Sequence, residues 1–256
     1  MEWLELVLVG MLLPVFPASV VFNAVIRWTP TGWGKAAAMI LLPEVGVALL
    51  SSISSARVPL VHSRGWIVLV AFSALLYAFR AISVREISIW ARLMATSGLG
   101  LVWIFEATHR GRDVMAVAVL AWSVPAALLL VLAGLLTERS GGAYLGLQGG
   151  LARVVPRISS LATLSALALV ATPLFPSFFA LLHVIGVLRL FWLWPLLLVL
   201  LVWGWSLGGF LQQLLFGSYS GERFPDLGTL ATSSGAVVLS LLVVSAVVWS
   251  GAWIGI

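Results

Sequence analysis

Apolar runs of about 20 residues, each bounded by a few polar or basic ones, follow one another along the whole chain. That pattern admits one environment. A helix needs about 20 mainly apolar residues to cross roughly 30 Å of bilayer hydrocarbon. Spans are predicted at residues 3–26, 36–54, 66–83, 87–107, 114–136, 158–190, 192–216 and 230–254. Only 9% of the 256 residues are charged and 62% are hydrophobic, against about 25% charged in a soluble domain. A soluble core of this size has too little interior to hide so much apolar surface. The expected fold class is all-α and integral to the membrane, with about eight transmembrane helices in a single domain over 1–256. Connections are short. The longest, from Thr137 to Arg157, is rich in glycine: Gly141, Gly142, Gly146, Gly149 and Gly150.

The sixth run is too long for one straight crossing. About 33 residues at about 1.5 Å each would reach about 50 Å, well beyond the hydrocarbon. It contains Pro173 and Pro176. Each removes a backbone donor and clashes with the preceding turn. The prediction is a helix broken around 172–177, with a simple kink as the plainer alternative. Breaks survive in a bilayer only where they face protein or a wet cavity. In transporters they often border an ion path. No repeat within the chain stands out.

The formal charge of +5 comes almost wholly from arginine, Lys35 being the only lysine. The cations are scattered through short loops and form no stripe suited to nucleic acid. Arg27, Lys35, Arg80, Arg85, Arg92, Arg139, Arg153, Arg157 and Arg223 fall on one side of the predicted topology. Arg57, Arg64, Arg110, Arg112 and Arg189 fall on the other. The positive-inside rule then turns both termini away from the cytoplasm. The expected location is a bacterial or archaeal cytoplasmic membrane. Met1, Glu2, Trp3, Leu4 and Glu5 make an acidic start where a signal peptide would be basic, which predicts a retained first span. Of 13 tryptophans, Trp28, Trp33, Trp66, Trp192, Trp194 and Trp253 lie near predicted helix ends and are expected to anchor at the interface.

Ionisable residues inside spans are candidates for function because burying them is costly. Glu44, beside Pro43, and His183 are the two candidates for an ion path. The alternatives are a paired or neutral carboxylate at Glu44 and a packing role for His183. Arg92 and Glu106 are expected near interfaces, where long side chains snorkel. There is no phosphate-binding glycine loop, HExxH or GxSxG motif, and the three histidines lack metal-ligand spacing. With no cysteine, thiolate chemistry is excluded. No cofactor, no metal and no catalytic site of the chain's own are expected.

From Pro125 to Leu188 the chain reads as a helix ending in Gly-Leu-Leu, then Glu-Arg, a glycine loop, Gly149-Gly150-Leu151-Ala152-Arg153 and Pro156. A long apolar run follows, with its proline break and Ser177-Phe178-Phe179. This stretch resembles the antiporter-like membrane subunits of respiratory complex I. That family includes Mrp sodium/proton antiporter subunits, membrane-bound hydrogenase and formate hydrogenlyase subunits, and the membrane partner of DAB inorganic-carbon uptake. Upstream, Trp28-Thr29-Pro30 and the run Ala36–Leu50 resemble the family's Trp-Leu-Pro segment and its first broken helix, which would place a break at Pro43. Residues 84–102 match more weakly.

The resemblance implies the central and C-terminal part of such a subunit, without counterparts of the N-terminal helices and their carboxylate. It also implies that the family's proton relay is erased. Where the family carries a buried lysine, a histidine or lysine, and a glutamate or lysine, this chain has Pro43, Trp122 and Leu181. Glu44 and His183 stand one and two residues from two of these places. On a helix such shifts turn a side chain by about 100° or 200°. Three functions are compatible: an accessory, non-pumping subunit of a complex-I-related assembly; a proton- or sodium-conducting subunit that drives a partner; and a stand-alone small-molecule permease. The first implies partner membrane subunits docked on helix faces, with Gly204, Gly208 and Gly209 as a candidate seam.

Overall fold

The computed structural model describes residues 2–52, 61, 63–107, 111–145, 150–188, 193–217, 219 and 224–254. Twelve helices account for nearly all of them. In chain order they are α1 (Glu2–Leu12), α2 (Ser19–Trp28), α3 (Gly32–Ser52), α4 (Arg64–Ile82), α5 (Ile87–Leu101) and α6 (Trp103–Ala107). Then follow α7 (Arg112–Ser140), α8 (Leu151–Val154), α9 (Pro156–Leu169), α10 (Pro176–Val187), α11 (Leu193–Leu215) and α12 (Thr229–Ile254). The protein is an all-α integral membrane protein. Among the described residues, six segments are long and apolar enough to cross a membrane: α3, α4, α5 with α6, α7, α11 and α12. The other two predicted spans, 3–26 and 158–190, are each a pair of shorter helices, α1 with α2 and α9 with α10.

The first of these pairs corrects the sequence reading, which drew 3–26 as one helix. The second correction concerns Pro43. The helix α3 runs through it unbroken, as α7 runs through Pro125. The four cases share one rule. A lone proline strips one donor from a turn, and the helix continues on its remaining bonds. Prolines three residues apart, Pro14 with Pro17 and Pro173 with Pro176, disable a whole turn, and there the helix stops.

Helix α5 lies at the centre. From Leu93 to Leu101 every residue is buried. A helix apolar on all sides belongs inside a bundle. It is enclosed by α4 and α7, and α7 in turn packs on α3 and α9. Between lipid-solvated helices the hydrophobic effect gives little, so close packing must hold the bundle together. The α3–α7 contact shows how. A Cβ on Gly134 would lie 2.9 Å from the Gly32 Cα, so the two backbones touch. Elsewhere Trp66, expected at the interface, is 6% exposed. Its ring packs edge-on against Trp103 with centroids 5.1 Å apart, because α6 turns Trp103 into the bundle. Trp28, Trp33 and Trp194 do face outward. Trp192, Gly146, Gly149, Arg57, Arg110, Arg189 and Arg223 lie outside the described residues.

Candidate functional site: two broken helices flanking a buried indole

Both breaks carry the same four-residue pattern. The first is Pro14-Val15-Phe16-Pro17 and the second Pro173-Leu174-Phe175-Pro176. Each break releases backbone groups inside an apolar bundle, where an unpaired N–H or C=O costs several kcal/mol. Side chains meet that demand at both places.

At the first break the Trp103 indole donates to the Leu13 carbonyl at 3.1 Å. The Phe16 N–H donates to Ser73 Oγ at 2.9 Å. One turn on, the Ser19 and Tyr77 hydroxyls are 2.7 Å apart and hydrogen-bonded. At the second break the Ser177 hydroxyl reaches back across the gap to the Ala168 carbonyl at 2.6 Å. The Leu167 carbonyl accepts from both the N–H and the hydroxyl of Thr172, at 3.3 and 3.2 Å. Ala171 takes a left-handed φ of 57° to make the turn. Such a φ crowds a Cβ against the following carbonyl, so the break is held by its surroundings.

Between the breaks run α5 and α7. Trp122 of α7 is fully buried, and its ring lies flush on Gly98 of α5. A Cβ at position 98 would meet Trp122 Cδ1 at 2.4 Å, Nε1 at 2.5 Å and Cγ at 2.6 Å. The notch and the indole are therefore one packing unit. Beside it, Trp203 of α11 donates to Ser97 at 2.9 Å, and Ser97 donates to the Ala74 carbonyl at 2.7 Å. Trp90 donates to Ser206 at 2.8 Å. The centre is tied by hydroxyls and indoles. Apart from the Tyr77 phenol, His183 is the only titratable side chain among the described buried residues.

His183, on α10, stacks on Phe105 with ring centroids 4.9 Å apart and planes 20° apart. Leu181, one of the expected relay losses, is buried on the same helix. Glu44 is half-buried on α3, next to the buried Pro43. Its Oε1 is enclosed and has no hydrogen-bond partner among the described residues. The cation whose charge acts on it is Arg112, the first residue of α7. Glu44 and His183 thus stand on different helices, α3 and α10, each packed on α7. Arg92 is half-buried on α5 and donates to the Asn23 carbonyl of α2 at 2.8 Å. Glu106 is half-buried in α6. Among the described residues no group of three or more carboxylates or histidines is placed to hold a metal.

The glycine-rich connection is ordered at its end. Gly150 has a left-handed φ of 77° and opens α8, whose Arg153 points outward, and Pro156 is the first residue of α9. Val155 offers no side chain to cap α9. Asp226 supplies the cap from across the bundle, accepting from the Arg157 and Ile158 N–H groups at 2.8 and 3.3 Å. Arg157 Nη1 returns a bond to the Leu227 carbonyl at 2.7 Å, and Arg139 Nη1 holds the Pro225 carbonyl at 2.8 Å.

The sequence resemblance to antiporter-like membrane subunits anticipates a fold of this kind, helices throughout with two runs interrupted at paired prolines. The solved structures bear this likeness out. A chain of respiratory complex I from Thermus thermophilus with bound NADH is 23% identical, with a TM-score of 0.74 over 96% of this chain and 54% of that one. A chain of the membrane-bound sulfane sulfur reductase, an archaeal respiratory membrane complex, is 17% identical, with a TM-score of 0.76 over 96% and 52%. A chain of the Mrp complex from Dietzia sp. is 14% identical, with a TM-score of 0.78 over 96% and 55%. At these identities the likeness establishes a shared fold, and this chain spans about half the length of the chains it matches. No protein-family model matches it, and no curated protein matches it in sequence.

Proposed function

We propose that the chain is an accessory, non-pumping subunit of a larger ion-coupled membrane assembly related to complex I. The observation that carries this reading is the Trp122–Gly98 unit. It fills the middle of the bundle with an indole, which neither takes up nor releases a proton at any physiological pH. A proton path needs titratable groups along a hydrated route, and the buried polar side chains among the described residues are hydroxyls and His183: Ser97, Ser177 and Ser206 bond to carbonyls or indoles, while the Ser123 and Ser159 oxygens have no partner among the described residues. Partner subunits would dock on helix faces. Cβ atoms added at Gly204, Gly208 and Gly209 of α11 would meet nothing within 4 Å, so these small residues serve no packing within the described chain. A cytoplasmic membrane of a bacterium or archaeon, with both termini outside, fits the distribution of the cations.

One observation favours a conducting subunit instead: the enclosed Oε1 of Glu44, which has no hydrogen-bond partner among the described residues. The two readings separate in proteoliposomes that hold the purified chain with its native partners, with internal pH followed by a fluorescent dye. Glu44→Gln and His183→Asn should leave ion flux at the wild-type level. A loss of flux in Glu44→Gln would make the chain a conductor and end the accessory reading.

A further inference from the structure

At one end of the bundle, the last turns of α2 and α4 meet the first turns of α3 and α5 around a cavity of about 480 Å³. Four cations line it: Arg27, Lys35, Arg80 and Arg92. One carboxylate, Glu86, faces them, and it already accepts the Ser88 hydroxyl. Arg92 uses Nη1 to hold the Asn23 carbonyl, while its Nε is buried with no hydrogen-bond partner among the described residues. Like charges gathered around one cavity repel one another, most strongly at the half-buried Arg92, so an anion bound there would be stabilised by all four. Glu86 alone leaves an excess of three positive charges on the lining.

We propose that this cavity binds a phosphate group, carried by the headgroup of an anionic phospholipid. The depth of the site supports a lipid source. Trp28 ends α2 and Trp33 lies in the first turn of α3, and both rings face outward at this end of the bundle, 78% and 71% exposed. Outward-facing tryptophan is characteristic of the headgroup level. Basic pockets between transmembrane helices at that level suit the phosphates of anionic lipids. Guanidinium groups pair with phosphate oxygens through two parallel bonds, and the exposed Arg27 and Arg80 are free to swing onto a headgroup held against Arg92. This inference concerns the fold's edge and is independent of whether the subunit pumps.

The test is native mass spectrometry of the full chain, in the assembly it purifies with, after delipidation and titration with phosphatidylglycerol, phosphatidylcholine or inorganic phosphate. Wild type should retain phosphatidylglycerol in preference to phosphatidylcholine. Arg27→Gln with Arg80→Gln should weaken that retention by about thirtyfold, since each basic group near a membrane surface contributes a few-fold to tenfold. Should that pair fail to assemble, Lys35→Gln, together with competition by millimolar inorganic phosphate against wild type, provides the same reading. Binding of inorganic phosphate without any lipid preference would keep the phosphate site and overturn the lipid source. Equal retention of both lipids, unchanged by the substitutions and by phosphate, would overturn the proposal.

Discussion

Replacing Gly98 by alanine tests the packing unit on which the functional reading depends. The added Cβ would sit 2.4 to 2.6 Å from three atoms of the Trp122 ring, where a real contact needs about 3.4 Å or more. Relief therefore requires the indole or α5 to move by about 1 Å, and Trp122 is 0% exposed in an interior that packs closely. Overpacking of this kind costs about 1–3 kcal/mol, and the rigidity of the site puts it near the upper figure. Alanine regains at most about 1 kcal/mol of helix propensity. The net loss is about 2 kcal/mol, which at the usual scale lowers the melting midpoint by roughly 4–8 °C. Trp122→Leu alone opens a cavity and loses about 3 kcal/mol or more. Combining the two should lose less than the sum, because leucine leaves room for the new methyl, with a coupling of about 1–3 kcal/mol. The assay is thermal unfolding in detergent, followed by tryptophan fluorescence and size-exclusion recovery. A Gly98→Ala protein as stable as wild type, or strict additivity in the double variant, would refute the picture of a filled centre.

The hydrogen bonds at the two breaks make parallel predictions. Ser177→Ala leaves the Ala168 carbonyl with only its longer bond from the Ala171 N–H, at 3.3 Å, and should lose about 1 kcal/mol. Ser73→Ala leaves the Phe16 N–H without a partner among the described residues and should lose about 1–3 kcal/mol, each in the same unfolding assay and with faster amide exchange confined to its own break. Asp226→Ala removes the cap of α9 and should cost about 1–2 kcal/mol, while Asp226→Asn keeps one of the two acceptor oxygens and should lose less than Asp226→Ala. Glu44→Gln should leave ion flux unchanged in proteoliposomes, as set out above.

The sequence made the membrane class legible because helix length and apolarity are local properties. The break at Pro173 and Pro176 was legible for the same reason: the run was too long and carried two prolines in one turn. The break at Pro14 and Pro17 had the same signal, but its run was short enough to pass for one crossing, so length concealed it. Pro43 misled in the opposite direction, since one proline in an apolar run looks like a break until its neighbours are counted. What the sequence could not show were the long-range partners. Trp103 against Leu13, Ser73 against Phe16 and Asp226 against the start of α9 are separated by 57 residues or more, and only the packing of α4, α6 and the 224–228 loop brings them together. That Trp122 cannot titrate follows from its residue type, but its fit into the Gly98 notch depends on how closely α5 and α7 approach.

The central claim is that the chain works inside a larger assembly. Mass spectrometry of the intact particle, extracted from its native membrane in mild detergent, tests this most directly. The expected result is a stoichiometric complex in which the chain travels with other membrane subunits. A chain that emerges alone, monodisperse and thermally stable would contradict it.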